Sequence, residues 1–161
     1  MKTILLTLLF CVSIPSSELN EIRRSFKDAS DDKSNAETFY ELVQSKEYSD
    51  EVVYIAYDGA SEIILSKYLG SNMEKLKYFN RGSEKIDKAV DNDASNIEIR
   101  FVRLVIQMNT PSFLNYNENI EEDKKFILDN YSESSSAVQK MISEYASISD
   151  SFSTDEKTQL K

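Results

Sequence analysis

The chain has 161 residues and a formal net charge of −9, with 19 basic and 28 acidic residues. This acidity argues against nucleic acid and anionic membrane surfaces as partners, because both attract basic proteins. The chain has no His and a single Cys, so the usual zinc sites and the Ser-His-Asp and Cys-His catalytic groups lack their residues, and no metal or cofactor is expected. Only three Gly and two Pro occur, which favours long helices over sandwiches or barrels.

The first seventeen residues have the layout of a secretory signal peptide. Lys2 precedes the apolar run ILLTLLFCVSIP, and Ser16 and Ser17 follow it. This run is shorter than the roughly 20 apolar residues that a membrane-spanning helix needs. We therefore expect cleavage near Ser17, no stable membrane anchor, and an exported protein that is periplasmic or secreted. Cys11 lies inside the leader, so the mature chain would contain no cysteine.

Apolar residues at spacings of three and four predict four helices after the leader. These helices are expected over residues 18–29, 34–46, 51–69 and 73–91. Ser34 is the expected N-cap of the second helix, because Glu37 three residues later completes a capping box. Gly59 in the third helix predicts the close approach of a neighbouring helix, since an unforced Gly costs about 1 kcal/mol relative to Ala. The fourth helix is expected to bury Leu76 and Phe79.

The end of the fourth helix carries a recognisable pattern. Its expected buried side consists of Phe79, Gly82, Ile86 and Ala89. A polar corner follows at Asp93-Ala94-Ser95-Asn96. This pattern resembles the second helix and exit turn of a tetratricopeptide repeat, and it covers about half a repeat. Ala94 stands where the family carries Pro. The resemblance implies an all-α fold of antiparallel helical hairpins stacked as a short array, and an irregular helical bundle is the alternative.

The segment that begins at residue 97 predicts the central helix of the fold. Residues 97–108 carry so wide an apolar face that this helix must be covered on two sides. Asn96 or Ser95 is its expected N-cap, and Pro111 lies just beyond its end. The remaining predicted elements are an apolar turn at 112–116, helices at 120–131 and 137–146, and a flexible tail at 147–161. The helical domain is therefore expected to span residues 18–146.

One candidate binding site is a polar row on the central helix. Arg100, Arg103 and Gln107 are separated by three and four residues, so they lie on one side of this helix. If that side lines a groove, the two guanidinium groups could clamp a carboxylate or a phosphate. The alternative is structural, because the same side chains could pair with nearby acidic residues. Those acidic residues are Glu84, Glu121, Glu122 and Asp123.

A second candidate is a tyrosine-rich face on the third helix. Tyr54 and Tyr57 lie there with Ser61, and Tyr78 or Tyr116 could join them. Tyrosine is rigid and amphipathic, and it is enriched at binding surfaces. At helical spacing, however, such residues also form the edge of a core with their hydroxyl groups in water.

These observations favour an exported, non-enzymatic helical-repeat module that binds a protein or peptide partner between its hairpins. A second hypothesis is a small-molecule carrier, or an enzyme that uses Glu121, Glu122 or Asp123 near Arg100. An enclosed cavity with such a carboxylate would favour this hypothesis, whereas an open groove would favour the binding module. A third hypothesis is a structural or inhibitor subunit of a surface complex.

Overall fold

The computed structural model describes residues 16–45 and 51–161. This part of the chain contains eight α-helices and no strand, which confirms the all-α fold. The helices are α1 Ser16–Asp28, α2 Lys33–Gln44, α3 Val52–Ser66, α4 Asn72–Asn92, α5 Ile97–Met108, α6 Ile120–Asn130, α7 Ser136–Ile148 and α8 Thr154–Gln159. Most of the predicted leader, and the segment from 46 to 50 before α3, lie outside the described residues. None of the described helices is long and apolar enough to cross a membrane.

The helices pack mainly against their neighbours in the chain. Helices α1 and α2, α3 and α4, α5 and α6, and α7 and α8 are in contact within each pair. Helix α3 also contacts α1 and α5, so these three odd-numbered helices lie side by side. The even-numbered α2 and α4 pack against α3 and α5, respectively, the odd-numbered helices that follow them. This arrangement is compatible with a helical repeat-like fold.

The closest contact between two helices is the crossing of α3 and α4 at Gly59 and Gly82. A methyl group at Gly59 would lie 2.4 Å from the Gly82 carbonyl oxygen, and one at Gly82 would lie 2.5 Å from the Gly59 carbonyl oxygen. Only residues without a side chain allow the two backbones to approach this closely. The close approach predicted from Gly59 is therefore confirmed.

Two apolar clusters form the core, and α5 contributes to both. Ile99, Val102 and Ile106 face the first cluster, which α1 to α4 complete. Phe101 and Leu104 face the second, which α6, α7 and the C-terminal segment complete. Helix α5 therefore has apolar neighbours on two sides, as its wide apolar face predicts.

The structure corrects three details of the first half. The N-cap of α2 is Asp32, whose side chain accepts a hydrogen bond from the Asn35 amide at 2.8 Å, and Ser34 lies inside the helix. Helix α3 ends at Ser66 instead of residue 69. Leu76, which was expected in the core, is 50% exposed. It lies only one turn from the start of α4, where this helix is not covered by a neighbour.

The C-terminal segment also differs from the expectation of a flexible tail at 147–161. Ser153 and Glu156 form a capping box that starts α8. Phe152 and Leu160 on either side of α8 are 3% and 1% exposed, and both belong to the second core cluster. The segment therefore completes the domain, because its two large apolar residues are both used in packing.

Candidate functional site

The main candidate site is a groove formed by the odd-numbered helices. It encloses about 680 Å³, a volume within the range of about 300–1,000 Å³ that is usual for ligand sites. Every lining residue belongs to α1, α3, α5 or α7, or to the segments that directly follow α1, α3 and α5. The groove is a direct result of the fold, since packing places these four helices on one side of the molecule.

The floor of this groove is apolar. Each of the four helices contributes large apolar side chains, among them Phe26, Ile63, Ile64, Phe101, Val105, Ile106, Met141 and Tyr145. Most of these residues also belong to the two core clusters or pack against them. The floor is therefore a continuation of the core, and it offers a ligand an apolar surface held by packed helices.

The rim of the groove is cationic. Five basic side chains line the groove, against a single carboxylate from Glu144 among the described residues. The five are Arg23, Arg24, Lys27, Lys67 and Lys140. The whole chain carries a net charge of −9, so this concentration of positive charge is local. Such a rim attracts negatively charged ligands more strongly than neutral or basic ones.

Arg23 is fixed at the edge of the groove by a buried polar cluster. Its Nε and Nη2 atoms donate to Glu98 Oε1 and Oε2 at 2.7 and 2.6 Å. The hydroxyl group of Tyr57 donates to Glu98 Oε1 at 2.7 Å. The hydrogen bonds with Glu98 raise the pKa of Arg23, although burial opposes this. Glu98 therefore neutralises Arg23 and holds it in one orientation.

The other four cations differ in how they are paired. Lys27 Nζ lies 2.9 Å from Glu144 Oε2, and Lys140 Nζ lies 3.9 Å from Glu144 Oε1, so one carboxylate serves two lysines. Within the described part of the chain, Arg24 and Lys67 have no carboxylate partner. Burial lowers the pKa of Lys67 below its ordinary value of 10.5. A ligand carboxylate near Lys67 would relieve this penalty by supplying the missing negative charge.

A second cavity of about 730 Å³ adjoins the groove. It lies between the end of α3, the start of α4 and the 3₁₀ turn Ser112–Leu114. Its walls are largely apolar and include Leu76, Phe79 and Phe113. Four residues line both cavities: Ile63, Lys67, Asn109 and Thr110. The two cavities therefore meet along this row.

The predicted row of Arg100, Arg103 and Gln107 lies away from both cavities. These residues are only 8%, 7% and 2% exposed, and they face α6. Asp123 on α6 is fully buried and accepts bonds from Arg100 Nη1 at 2.8 Å and from Arg103 Nε and Nη2 at 2.7 and 2.8 Å. Glu122 adds a bond to Arg100 at 2.9 Å. The ion-pair alternative therefore describes this row, and the groove-lining alternative does not.

Further contacts tie the same network to its surroundings. Arg100 Nε donates to the Ala94 carbonyl oxygen at 2.6 Å, and its guanidinium carbon lies 4.4 Å from the centre of the Phe126 ring. Gln107 Nε2 donates to Asn119 Oδ1 at 3.2 Å. The network thus joins the corner before α5 to α6 and to the segment before it. Its geometry is that of an internal connection between elements.

The tyrosine face is buried as well. Tyr54 and Tyr57 are 3% and 0% exposed, so neither offers a binding surface. Burial raises the pKa of Tyr57 well above its ordinary value, and the neighbouring Glu98 adds to this effect. Tyr57 therefore acts beneath the groove, where its hydroxyl group supports Glu98.

Sequence reasoning missed the groove itself because its lining comes from four separate helices. One local signal was present: Arg23, Arg24 and Lys27 fall within five residues that contain no acid, although α1 as a whole has as many acidic as basic residues. Glu121, Glu122 and Asp123, the carboxylates of the enzyme hypothesis, line neither cavity. Comparison of the chain with models of protein families, with curated proteins and with solved structures found no match.

Proposed function

We propose that this protein is a non-enzymatic binding module that holds an acidic, partly apolar segment of a protein partner in the groove of its odd-numbered helices. One observation carries the proposal: the apolar groove is lined by five cations and one carboxylate in a chain of net charge −9, and two of these cations, Arg24 and Lys67, have no carboxylate partner in the described part of the chain. Apolar side chains of the partner would cover the floor, and its carboxylates would face Arg24 and Lys67. Both contributions are needed, since charge gives specificity and apolar burial gives affinity.

The helix arrangement supports a second, more specific proposal, that the chain is a degenerate tetratricopeptide-like array. Helices α1, α3 and α5 lie side by side and line the groove together with α7, as expected for stacked hairpins that present a common surface. At the position of the missing family Pro, the Ala94 carbonyl oxygen is held by Arg100. This bond gives the corner before α5 a fixed geometry that a Pro would otherwise provide.

Selection from a random peptide library displayed on phage tests the binding function. We expect the wild-type protein to enrich peptides that combine Asp or Glu with large apolar residues. The charge-reversed variant Arg24→Glu/Lys67→Glu should lose this enrichment. Lys88→Glu is the matched control, because Lys88 is exposed on α4 and lines neither cavity. Enrichment of basic peptides, or equal enrichment by the groove variant, would contradict the proposal.

We also propose that the protein is exported. The support is the leader with Lys2, its apolar run and the small residues after it. Cell fractionation and mass spectrometry of the mature protein test this point. The expected product lies outside the cytoplasm and begins near residue 18, whereas a cytoplasmic product that retains the leader would refute export without affecting the proposed groove.

A further inference from the structure

The two cavities form one continuous site, and Lys67 lies at their junction. Lys67, Asn109 and Thr110 line both cavities, and Ile63 forms the shared apolar floor. The first cavity extends from this row toward α1 and α7, and the second extends toward α4 and the turn at 112–114. A ligand that passes from one cavity to the other must therefore pass Lys67.

Lys67 is suited to bind an anion at this point. Its ammonium group has no carboxylate partner in the described part of the chain, whereas Lys27, Lys85 and Lys124 each have one within 3.0 Å. The Lys67 side chain is exposed, and partial desolvation by the neighbouring apolar residues lowers its pKa. An incoming carboxylate would therefore meet an ammonium group that is accessible and not already paired.

Asn109 adds a hydrogen-bond acceptor beside Lys67. Its Nδ2 atom donates to the Val105 carbonyl oxygen at 2.8 Å and to the Tyr145 hydroxyl oxygen at 3.1 Å. Among the described residues, no donor binds its Oδ1 atom. This oxygen is therefore available for a backbone N–H of a peptide. A fatty acid has no such donor, so the pair Lys67 and Asn109 favours a peptide over a fatty acid.

The second cavity offers an apolar anchor point of its own. Phe113 is 77% exposed and Leu76 is 50% exposed, so large apolar surfaces at this cavity face solvent. Exposed large apolar side chains that lie together usually mark a binding surface. An apolar ligand side chain placed between them would remove this surface from water, while the floor of the first cavity would hold a second one.

We propose that the two cavities together recognise a peptide segment in which an acidic residue lies between two apolar residues, with Lys67 binding the carboxylate and each cavity binding one apolar side chain. This inference rests on the proposed binding function and adds the order of the recognised residues to it. The segment needs one apolar residue on each side of the acidic residue, because the apolar surfaces of the two cavities lie on opposite sides of Lys67. Its central charge is fixed because Lys67 is the cation common to both cavities.

Fluorescence anisotropy with short labelled peptides tests the inference. The probes carry one Glu between two Leu in a Ser/Gly sequence, and the spacing between Glu and each Leu is varied. For the spacing that binds best, replacement of the Glu by Gln, or of either Leu by Ser, should weaken binding by about tenfold. A probe with both Leu residues on the same side of the Glu should bind as weakly as the single-Leu probes.

Three variants assign each contact. Lys67→Met should bind the Glu and Gln peptides equally, whereas Lys67→Arg should keep the preference for Glu. Phe113→Ser should lose the preference for one of the two Leu residues and keep the other. Lys88→Met is the matched control, since it removes a lysine outside the cavities and should leave all preferences unchanged.

The outcomes separate this inference from the proposed function. If the library yields acidic, apolar peptides but Lys67→Met keeps the preference for Glu, the inference is wrong and the binding function stands. The same holds if Phe113→Ser changes neither Leu preference. If neither the library nor any probe shows binding, both are overturned.

Discussion

The sharpest test of the structure is the substitution Asp123→Asn. This carboxylate is fully buried and accepts three hydrogen bonds from two arginines, at 2.7 to 2.8 Å. Asn keeps the size and shape of Asp, so the change removes the charge without leaving a cavity. Arg103, which is 7% exposed, would then lack its main counter-charge.

The expected loss of unfolding free energy is about 3 kcal/mol. Removal of one partner from a buried ion pair usually costs about 3–5 kcal/mol, because the remaining charge stays buried without compensation. The low end applies here for two reasons. Glu122 still accepts a bond from Arg100 at 2.9 Å, and Asp87 Oδ1 lies 3.8 Å from Arg103 Nη1. Such a loss is a large part of the stability of a domain of this size, which is about 5–15 kcal/mol.

Urea denaturation monitored by circular dichroism measures this loss. An unchanged slope of unfolding free energy against urea concentration would show that only stability has changed. Glu122→Gln is the matched control: it makes the same chemical change at the adjacent position, and it also affects a partner of Arg100. Because the Glu122 side chain is 61% exposed, its replacement should cost less than about 1 kcal/mol. Equal effects of the two substitutions would refute the buried network. The double variant Arg103→Met/Asp123→Leu should be more stable than Asp123→Asn, since Arg103 is no longer buried without its counter-charge and Arg100 keeps Glu122 in both variants.

Two further predictions concern other parts of the fold. Gly82→Ala should lower the unfolding free energy by about 1–3 kcal/mol in urea titration, because the new methyl group would lie 2.5 Å from the Gly59 carbonyl oxygen. Gly70→Ala is the control: its methyl group would have no atom within 4 Å, so the unfolding free energy should change by less than about 0.5 kcal/mol. Leu160→Ala should lower the unfolding free energy by about 2 kcal/mol in the same assay, because Leu160 is 1% exposed. Ile148→Ala is the control, since Ile148 is 79% exposed and its truncation should have little effect. Equally small effects of the two changes would contradict the packing of the C-terminal segment.

The best sequence predictions were those that depended on local chemistry. Helix α5 begins and ends where predicted, because Asn96 caps its first turn through bonds to the Glu98 and Ile99 amides and Pro111 lies shortly after its end. The close approach of a neighbouring helix to α3 was predicted from Gly59, because a glycine inside a helix lowers its stability unless the space is needed. In each case, the residues that determine the feature lie within one or two turns of each other.

The predictions that failed depended on contacts between distant parts of the chain. The order of the C-terminal segment comes from Phe152 and Leu160, which pack against residues of α5, α6 and α7. Sparse apolar residues at the end of a chain give no local sign of such a partner. The spacing of Arg100 and Arg103 places them on one side of a helix and left two alternatives open, a groove or an ion-pair network. Only the packing of α6 determines that this side meets Asp123, which is the ion-pair alternative.

Helix α5 carries both the buried ion pairs and part of the floor of the groove. Glu98 at the start of α5 holds Arg23 at the edge of the groove and Tyr57 beneath it, while Arg100 and Arg103, on the side that faces α6, hold Asp123. The groove therefore borders a helix whose orientation is fixed by charged hydrogen bonds as well as by apolar packing. Fixed walls reduce the conformational entropy that binding would otherwise cost. The buried arginines thus serve the groove indirectly: they hold in place the helix that, through Phe101, Val105 and Ile106, forms a large part of its floor.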